Sequence, residues 1–242
     1  MIASTQYGPV TVLTIDRPER RNALTIELCH GLRSGVRDAV DGGARVLVLT
    51  GAGTSFCSGA DLDAVYSEAF RAALYELLHT VAGAPIPVLA AVNGPAIGAG
   101  TQLAIAADLR VAAPTARFGV PTAKLGLAVD PWTIRRLALL AGHGTARRLL
   151  LACEQLEVDA ARVCGLVDRV GDGADALSWA VELAALAPLT IAYSKRGLRE
   201  LFEPELVNPG LEAAFQGCWA SEDFAEGRRS RVEKRPPVFR GR

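Results

Sequence analysis

The stretch "VLAAVNGPAIGAGTQLAIAADLRVAA", Val88 to Ala113, reads as strand, turn, helix and strand in quick succession. Its opening, "PVLAAVNG" (Pro87 to Gly94), is an apolar run closed by Asn-Gly, the pattern of a buried strand that ends in a turn. Small residues come next, then the first turn of a buried helix, and "DLRVAA" (Asp108 to Ala113) forms another strand. Gly98 and Gly100 flank Ala99. Bare backbone amides can therefore approach a ligand at a helix start, where N–H groups lack partners and the helix dipole is positive. The same glycines would equally serve tight helix–strand packing. Beyond them the first side chain with any chemistry is Gln102, an amide that neither gives nor takes a proton near neutral pH.

A second glycine-bearing segment, "GAGTSFCSGADL" (Gly51 to Leu62), follows the short apolar strand "RVLVLTG" (Arg45 to Gly51). A GxG after a strand suggests a dinucleotide fingerprint, but Phe56 stands where the third glycine belongs and helical periodicity does not begin at once. Neither segment holds the GK[ST] of a nucleotide phosphate loop. What they share is a glycine, a small residue and a helix start: Gly59-Ala60-Asp61 and Gly98-Ala99-Gly100. Two N–H groups arriving from separate parts of the chain make an oxyanion hole, suited to a carbonyl oxygen on which negative charge develops.

Working outward, "VTVLTI" (Val10 to Ile15) alternates as a strand and "GLVDRVG" (Gly165 to Gly171) reads as another. Helical spacing runs from Thr25 to Val40 and from Ser67 to Gly83, each with a capping residue at its start. Past Gly173 the pattern is helical only. This predicts an α/β body over 1–190 and an all-helical piece over 191–242. With 242 residues, half of them apolar, the chain can bury a large core, and its zero net charge leaves no footprint for nucleic acid. The N-terminus lacks a basic start and apolar run, and no uninterrupted stretch of about 18 apolar residues suggests a membrane span. Five scattered cysteines without a CxxC pair point to reduced thiols and a cytoplasmic protein.

Other reactive residues carry less. Cys57 reads as a small buried apolar residue. His30, His79 and His143 have no metal-site spacing, so no metal is expected, and no histidine is placed to activate Ser58 as a nucleophile. His143, in "AGHGTA", looks like a turn residue between helices.

The segments "RPERRNAL", "FCSGADL", "VLAAVNGPAIGAGTQLAIAADLRVAA", "ARFGVPTAKLGLAVD" and "EGRRSRVEKRPPVF" occur in that order over nearly the whole chain. Together they resemble the crotonase superfamily of enoyl-CoA hydratases and isomerases, and within it actinobacterial hydratase-like paralogues. The resemblance implies an α/β crotonase fold, a spiral of ββα units with a C-terminal helical trimerisation region, and a homotrimer or hexamer. It implies a coenzyme A thioester as ligand or substrate, its carbonyl held by the N–H groups of Ala60 and Ala99, with no permanently bound cofactor. It places Arg20, Arg21, Ser58, Asp61, Leu62, Arg231 and Lys234 beside the coenzyme A, Lys234 on a segment that in relatives reaches a neighbouring subunit's ligand. For any one of these cations the plain alternative is a solvated surface charge. The family's hydratases use two glutamates to bracket a water; the matching positions here are Gln102 and Thr122. The expectation is therefore an acyl-CoA-binding protein, of long-chain acyl groups in particular, acting in fatty acid metabolism alongside lipid-synthesis enzymes, with little hydration. Asp130 stands where some isomerases of the family keep an aspartate, so an active isomerase using it as acid or base is the alternative. It also sits just before Pro131 and a helix, where an aspartate caps by accepting N–H groups.

Overall fold

The computed structural model describes residues 1–61, 65–203 and 208–242. Six strands form one sheet in the order β1 (Ile2–Tyr7), β2 (Val10–Ile15), β3 (Val46–Gly51), β4 (Val88–Val92), β6 (Leu109–Ala112) and β9 (Arg169–Val170). The β1–β2 pair is an antiparallel hairpin, and every later pairing in this sheet is parallel. A smaller sheet joins β5 (Ala96–Ile97), β7 (Arg117–Gly119) and β8 (Gln155–Glu157).

The central strands are apolar without interruption because both faces of the large sheet are covered. Leu47 and Leu49 of β3 enter a core built with α1 (Ile26–Asp41), α2 (Glu68–Gly83) and α3 (Ala99–Ala106). Val46 and Val48 face the other way, onto Ala176, Ala180 and Ala184 of α6 (Gly173–Ala184). The capping expectations hold: the side chain of Thr25 accepts from the Leu28 N–H and that of Ser67 from the Phe70 N–H.

The remaining helices are α4 (Pro131–Leu151), α5 (Val158–Val163), α7 (Pro188–Phe202), α8 (Pro209–Ala220) and α9 (Glu222–Val232). At φ 77°, ψ 155°, Gly142 breaks α4 into two helical pieces, so "AGHGTA" is the turn between helices that the sequence suggested. The Lys195 ammonium ties α7 to the main sheet through Asp108, at 2.7 Å, and the Ile86 carbonyl, at 3.0 Å. Among the described residues no single helix is long and apolar enough to cross a membrane.

Two elements differ from the sequence expectation. Strand β1 carries five exposed residues out of six, so it lacks the half-buried alternation that marks a strand. Conversely, the run around Val167 shrinks to the two residues of β9. Asp168 accepts the Arg110 N–H at 2.7 Å, while the buried Arg110 guanidinium donates to the Leu166 carbonyl at 2.6 Å. Those bonds hold Leu166 to Asp168 in a turn that buries Leu166 and Val167 without pairing them as a strand.

Close backbone approach fixes the position of α3. A Cβ built on Gly100 would lie 2.1 Å from the Cys57 carbonyl oxygen. Gly100→Ala is therefore expected to destabilise the protein by at least about 1–3 kcal/mol, the usual cost of overpacking. Gly144 of α4 has open space around it, so Gly144→Ala should be neutral or stabilising by up to about 1 kcal/mol. Urea denaturation of the two variants checks the contrast.

Candidate functional site

Two loops are stitched together at one end of the small sheet. Cys57 and Ala96 form a parallel bridge, in which the Cys57 N–H donates to the Pro95 carbonyl at 3.2 Å and the Ile97 N–H to the Cys57 carbonyl at 3.0 Å. On its other side this loop pairs with Leu24: the Leu24 N–H donates to Gly59 at 2.8 Å and the Asp61 N–H to Leu24 at 2.7 Å. Gly98 adopts φ 56°, ψ −117°, a conformation open to glycine, and its N–H donates to the Gly119 carbonyl at 2.7 Å. The buried Thr101 hydroxyl sits 2.7 Å from the Ala96 carbonyl and accepts the Gly119 N–H at 3.1 Å. These bonds hold the N-terminus of α3 against β5 and β7.

Ala60 and Ala99 consequently line the same cavity, about 660 Å³ in volume. The loops touch: a Cβ on Gly59 would come within 4.0 Å of the Ala99 nitrogen. Among the described residues neither the Ala60 nor the Ala99 N–H has a protein acceptor. Ala99 is the first residue of α3, so its N–H is one of the unpaired donors at that helix's positive end. Ala60 lies in the bridge to Leu24, and the Val65 N–H donates to the Asp61 carbonyl at 2.9 Å; the helix start expected after Ala60 falls on residues 62–64, outside the described residues. Gly98 and Gly100 thus do both things their spacing allowed, one by its dihedrals and one by its bare Cα.

Gln102 and Thr122 line the cavity as well. Gln102 is 4% exposed, and its Nε2 donates to the Thr133 Oγ1 at 2.9 Å. Thr133 in turn donates its hydroxyl to the Asp130 carboxylate. An ionised carboxylate only accepts, so Thr133 must accept from Gln102, and the direction of the relay fixes which end of the amide points into it. These contacts bear on both readings of Asp130. It occupies the cap position before Pro131, yet it makes no side-chain cap bond to a helix N–H because the Thr133 hydroxyl takes its place. Asp130 is 8% exposed and is not among the residues that line the cavity.

Of the residues expected beside coenzyme A, Arg20, Arg21, Ser58, Asp61 and Arg231 line the cavity together with Ala60. The Arg21 carbonyl accepts the Ser58 N–H at 3.0 Å, which fastens the N-terminal loop to the site. Asp61 is drawn to the Arg17 guanidinium at 2.6 Å. Lys234 is exposed, at φ 53°, and is not in this chain's cavity wall; Leu62 lies outside the described residues. Cys57 is wholly buried, and burial pushes its thiol up to about 12, which removes it as a nucleophile. Among the described residues no group of histidines, cysteines and carboxylates is placed to hold a metal.

Sequence reasoning missed Asn22 and did not settle which residues of α2 and α8 face the cavity. Asn22 is buried and donates to the carbonyls of Ala52 and Ser55 at 2.8 and 2.7 Å while accepting the Arg17 N–H. Phe70, Arg71, Leu74 and Tyr75 of α2, Val129, and Trp219 of α8 complete the cavity wall. Helical periodicity shows that α2 has a buried face, but not which part of that face is core and which is cavity.

Burial raises the Asp130 pKa above the ordinary 3.8, opposed by the Thr133 hydrogen bond and by nearby His79. A raised folded value means that stability is greatest below the unfolded pKa and is lost as pH climbs through the folded one. Asp130→Asn abolishes this titration. Its stability relative to the native chain should therefore increase from about pH 4 upward until the native carboxylate is fully ionised, then stay level. Urea midpoints measured across the acid range check this; a flat difference would mean that Asp130 is not perturbed by burial.

Comparison with known proteins agrees with this architecture. Residues 5–242 match the family model described as enoyl-CoA hydratase/isomerase. A protein of Mycobacterium bovis named probable enoyl-CoA hydratase echA6 is 48% identical over 242 residues, covering all of both chains. The crystal structure of an enoyl-CoA hydratase/isomerase from Pseudoalteromonas atlantica superposes with a TM-score of 0.88 at 32% identity, covering 99% of each chain. Methylmalonyl-CoA decarboxylase, at 23% identity and a TM-score of 0.91, shares the fold over all of this chain and 98% of its own. With its parallel sheet, its small second sheet and its helical C-terminus, this chain has the crotonase fold and belongs to the enoyl-CoA hydratase/isomerase family.

Proposed function

We propose that this chain binds fatty acyl-CoA thioesters, long-chain ones included, with the thioester carbonyl accepting from the Ala60 and Ala99 N–H groups, and that it hydrates enoyl thioesters little or not at all. The observation that carries this reading is the pair of unpaired amides on one cavity whose neighbouring side chain is the Gln102 amide. Addition of water to an enoyl thioester needs a base for the water and an acid for Cα. Gln102 can be neither, and Thr122 offers only a hydroxyl. General acid–base groups each contribute about 10²–10⁴-fold, so the loss of both leaves hydration slow.

The rest of the wall suits the same ligand. Arg20, Arg21 and Arg231 bring positive charge for phosphates, and Phe70, Leu74 and Val129 give an apolar path for the acyl chain. On this reading Lys234 acts across a subunit boundary, residues 191–242 form an oligomerisation region, and the protein is a homotrimer or hexamer. Leu189, Tyr193 and Leu201 of α7 are each at least three-quarters exposed, an apolar stripe of the kind that subunit contacts cover. That relatives are named probable enoyl-CoA hydratases supports a CoA thioester as the ligand. The role that follows is cytoplasmic retention or presentation of acyl-CoA to enzymes of lipid synthesis.

Two measurements test the proposal. Crotonyl-CoA and longer enoyl-CoAs should bind, by calorimetry, without the loss of enoyl absorbance that marks hydration; rapid loss would overturn the non-hydrating reading. Ala99→Pro deletes one N–H at the first position of a helix, where proline fits. It should weaken acyl-CoA binding about five- to tenfold, the worth of one hydrogen bond, with the circular dichroism spectrum retained. Unchanged affinity in the folded variant would remove Ala99 from the thioester site.

A further inference from the structure

One wall of the cavity holds two hydrogen-bond donors for which the described residues offer no acceptor. Arg71, in the first turn of α2, lines the cavity between Phe70 and Leu74. Its Nη1 is closed off from solvent and has no hydrogen-bond partner. Its Nη2 has the Glu68 carboxylate 3.9 Å away, beyond hydrogen-bond reach, on a side chain that is 89% exposed. The Arg71 side chain itself is only 15% exposed, and its guanidinium carbon lies 4.5 Å from the ring centre of Trp219. The indole Nε1 of Trp219 is likewise buried without an acceptor. Two of the three such buried atoms among the described residues thus stack on each other at one cavity wall, contributed by α2 and α8. Both are donors.

Native proteins satisfy nearly all their buried polar groups, so a pair of orphans asks for a partner that is absent from the chain. Leaving a buried donor unpaired costs about 1–3 kcal/mol, and more when it is charged. Stacking on Trp219 and Phe215 offsets part of the charge but accepts no hydrogen bond. The neighbouring polar groups do not fill the gap. The Tyr75 hydroxyl is held near Asp130, and Glu212 accepts from Gln216 at 2.7 Å. A hydrocarbon acyl chain would leave both donors as they are. With a small rotation of the two side chains toward the cavity, a carboxylate would answer both, since it is acceptor-only, carries the opposite charge and matches the planar fork of a guanidinium.

We infer that the acyl end of this cavity recognises a second carboxylate, so that the preferred ligands are CoA monothioesters of dicarboxylic acids, with Arg71 and the Trp219 indole as donors to the distal group. The inference rests on the acyl-CoA reading above and narrows it. In the thioester the proximal carbonyl takes the two amides at Ala60 and Ala99, and the chain length between the two acidic ends decides which member spans the distance.

Calorimetric titration of the full chain with two matched series tests this: succinyl-, glutaryl-, adipyl- and suberyl-CoA against butyryl-, valeryl-, hexanoyl- and octanoyl-CoA. At the best-fitting length the carboxylate member should bind about ten- to a hundredfold tighter than its methyl-ended counterpart, the range for hydrogen bonds to a charged group. Arg71→Met should erase the difference between the series, Arg71→Lys should keep part of it, and Trp219→Phe should reduce it several-fold. Trp219→Phe also provides the test if Arg71→Met proves unfolded by circular dichroism. Methyl-ended thioesters binding as tightly at every length, or a preference that survives Arg71→Met, would overturn the inference while leaving the acyl-CoA reading intact. Binding of neither series would overturn both.

Discussion

One contact sets the geometry of the site: the bare Cα of Gly100 against the carbonyl of Cys57, with no room for a Cβ between them. It lets α3 start directly on the loop that carries Ala60. Around it, the Cys57–Ala96 bridge, the Leu24–Ala60 bridge and the Thr101 hydroxyl form a short ladder running from the N-terminal loop into the small sheet. The ladder uses up most of the local backbone hydrogen-bonding capacity. Among the N–H groups left over are those of Ala60 and Ala99, on residues that both border the cavity. A helix start must leave donors unpaired; here the packing decides where they lie.

The same packing restrains the side chain beyond them. Gln102 is not a glutamine free to turn in a pocket; its amide is anchored through Thr133 to a buried carboxylate. Buried polar chains of this kind are rigid when every member is satisfied, and they are costly when one member is lost. A glutamate at 102 would place a second carboxylate near Asp130 with only Thr133 between them, so the relay and an ionisable residue at 102 are poorly compatible. The structure thereby ties the identity of residue 102 to a residue, Asp130, that is not among those lining the cavity.

The attachment of the C-terminal region follows from charge as much as from apolar burial. Glu226 is buried in α9 and accepts from Arg229, Arg235 and the Val238 N–H; Arg235 first, then the Val238 N–H and Arg229, holds its carboxyl far below the usual range. Gly227 lets α9 lie against the Leu125 carbonyl, beside the turn that carries Thr122. The acidic and basic run after Ser221 is in space the clamp that brings Arg231 to the cavity.

Much was legible in the sequence because it is written in local pattern. Continuous apolar runs marked the doubly covered strands, Thr25 and Ser67 marked helix starts, and paired small-residue turns marked where amides are exposed. The ordered motifs between Arg17 and Phe239 then pointed to the family. Strand β1 was not legible, since pairing rather than burial makes it a strand, and the two-residue β9 was overread, since buried residues need not be paired. Sequence also could not tell a cap from a relay at Asp130, because both place an aspartate before Pro131. Which of the Thr133 hydroxyl and the helix N–H groups reaches the carboxylate depends on how α4 packs against α3. The far wall is a still clearer case. Arg71 on α2 and Trp219 on α8 are distant in the chain and ordinary in their own helices, and they meet only when the C-terminal helices fold back over α2. Local composition sets which groups can donate, whereas desolvation and pairing are properties of the assembled interior. The kind of site was therefore written in the sequence, and the acceptors it still lacks were decided by the tertiary structure.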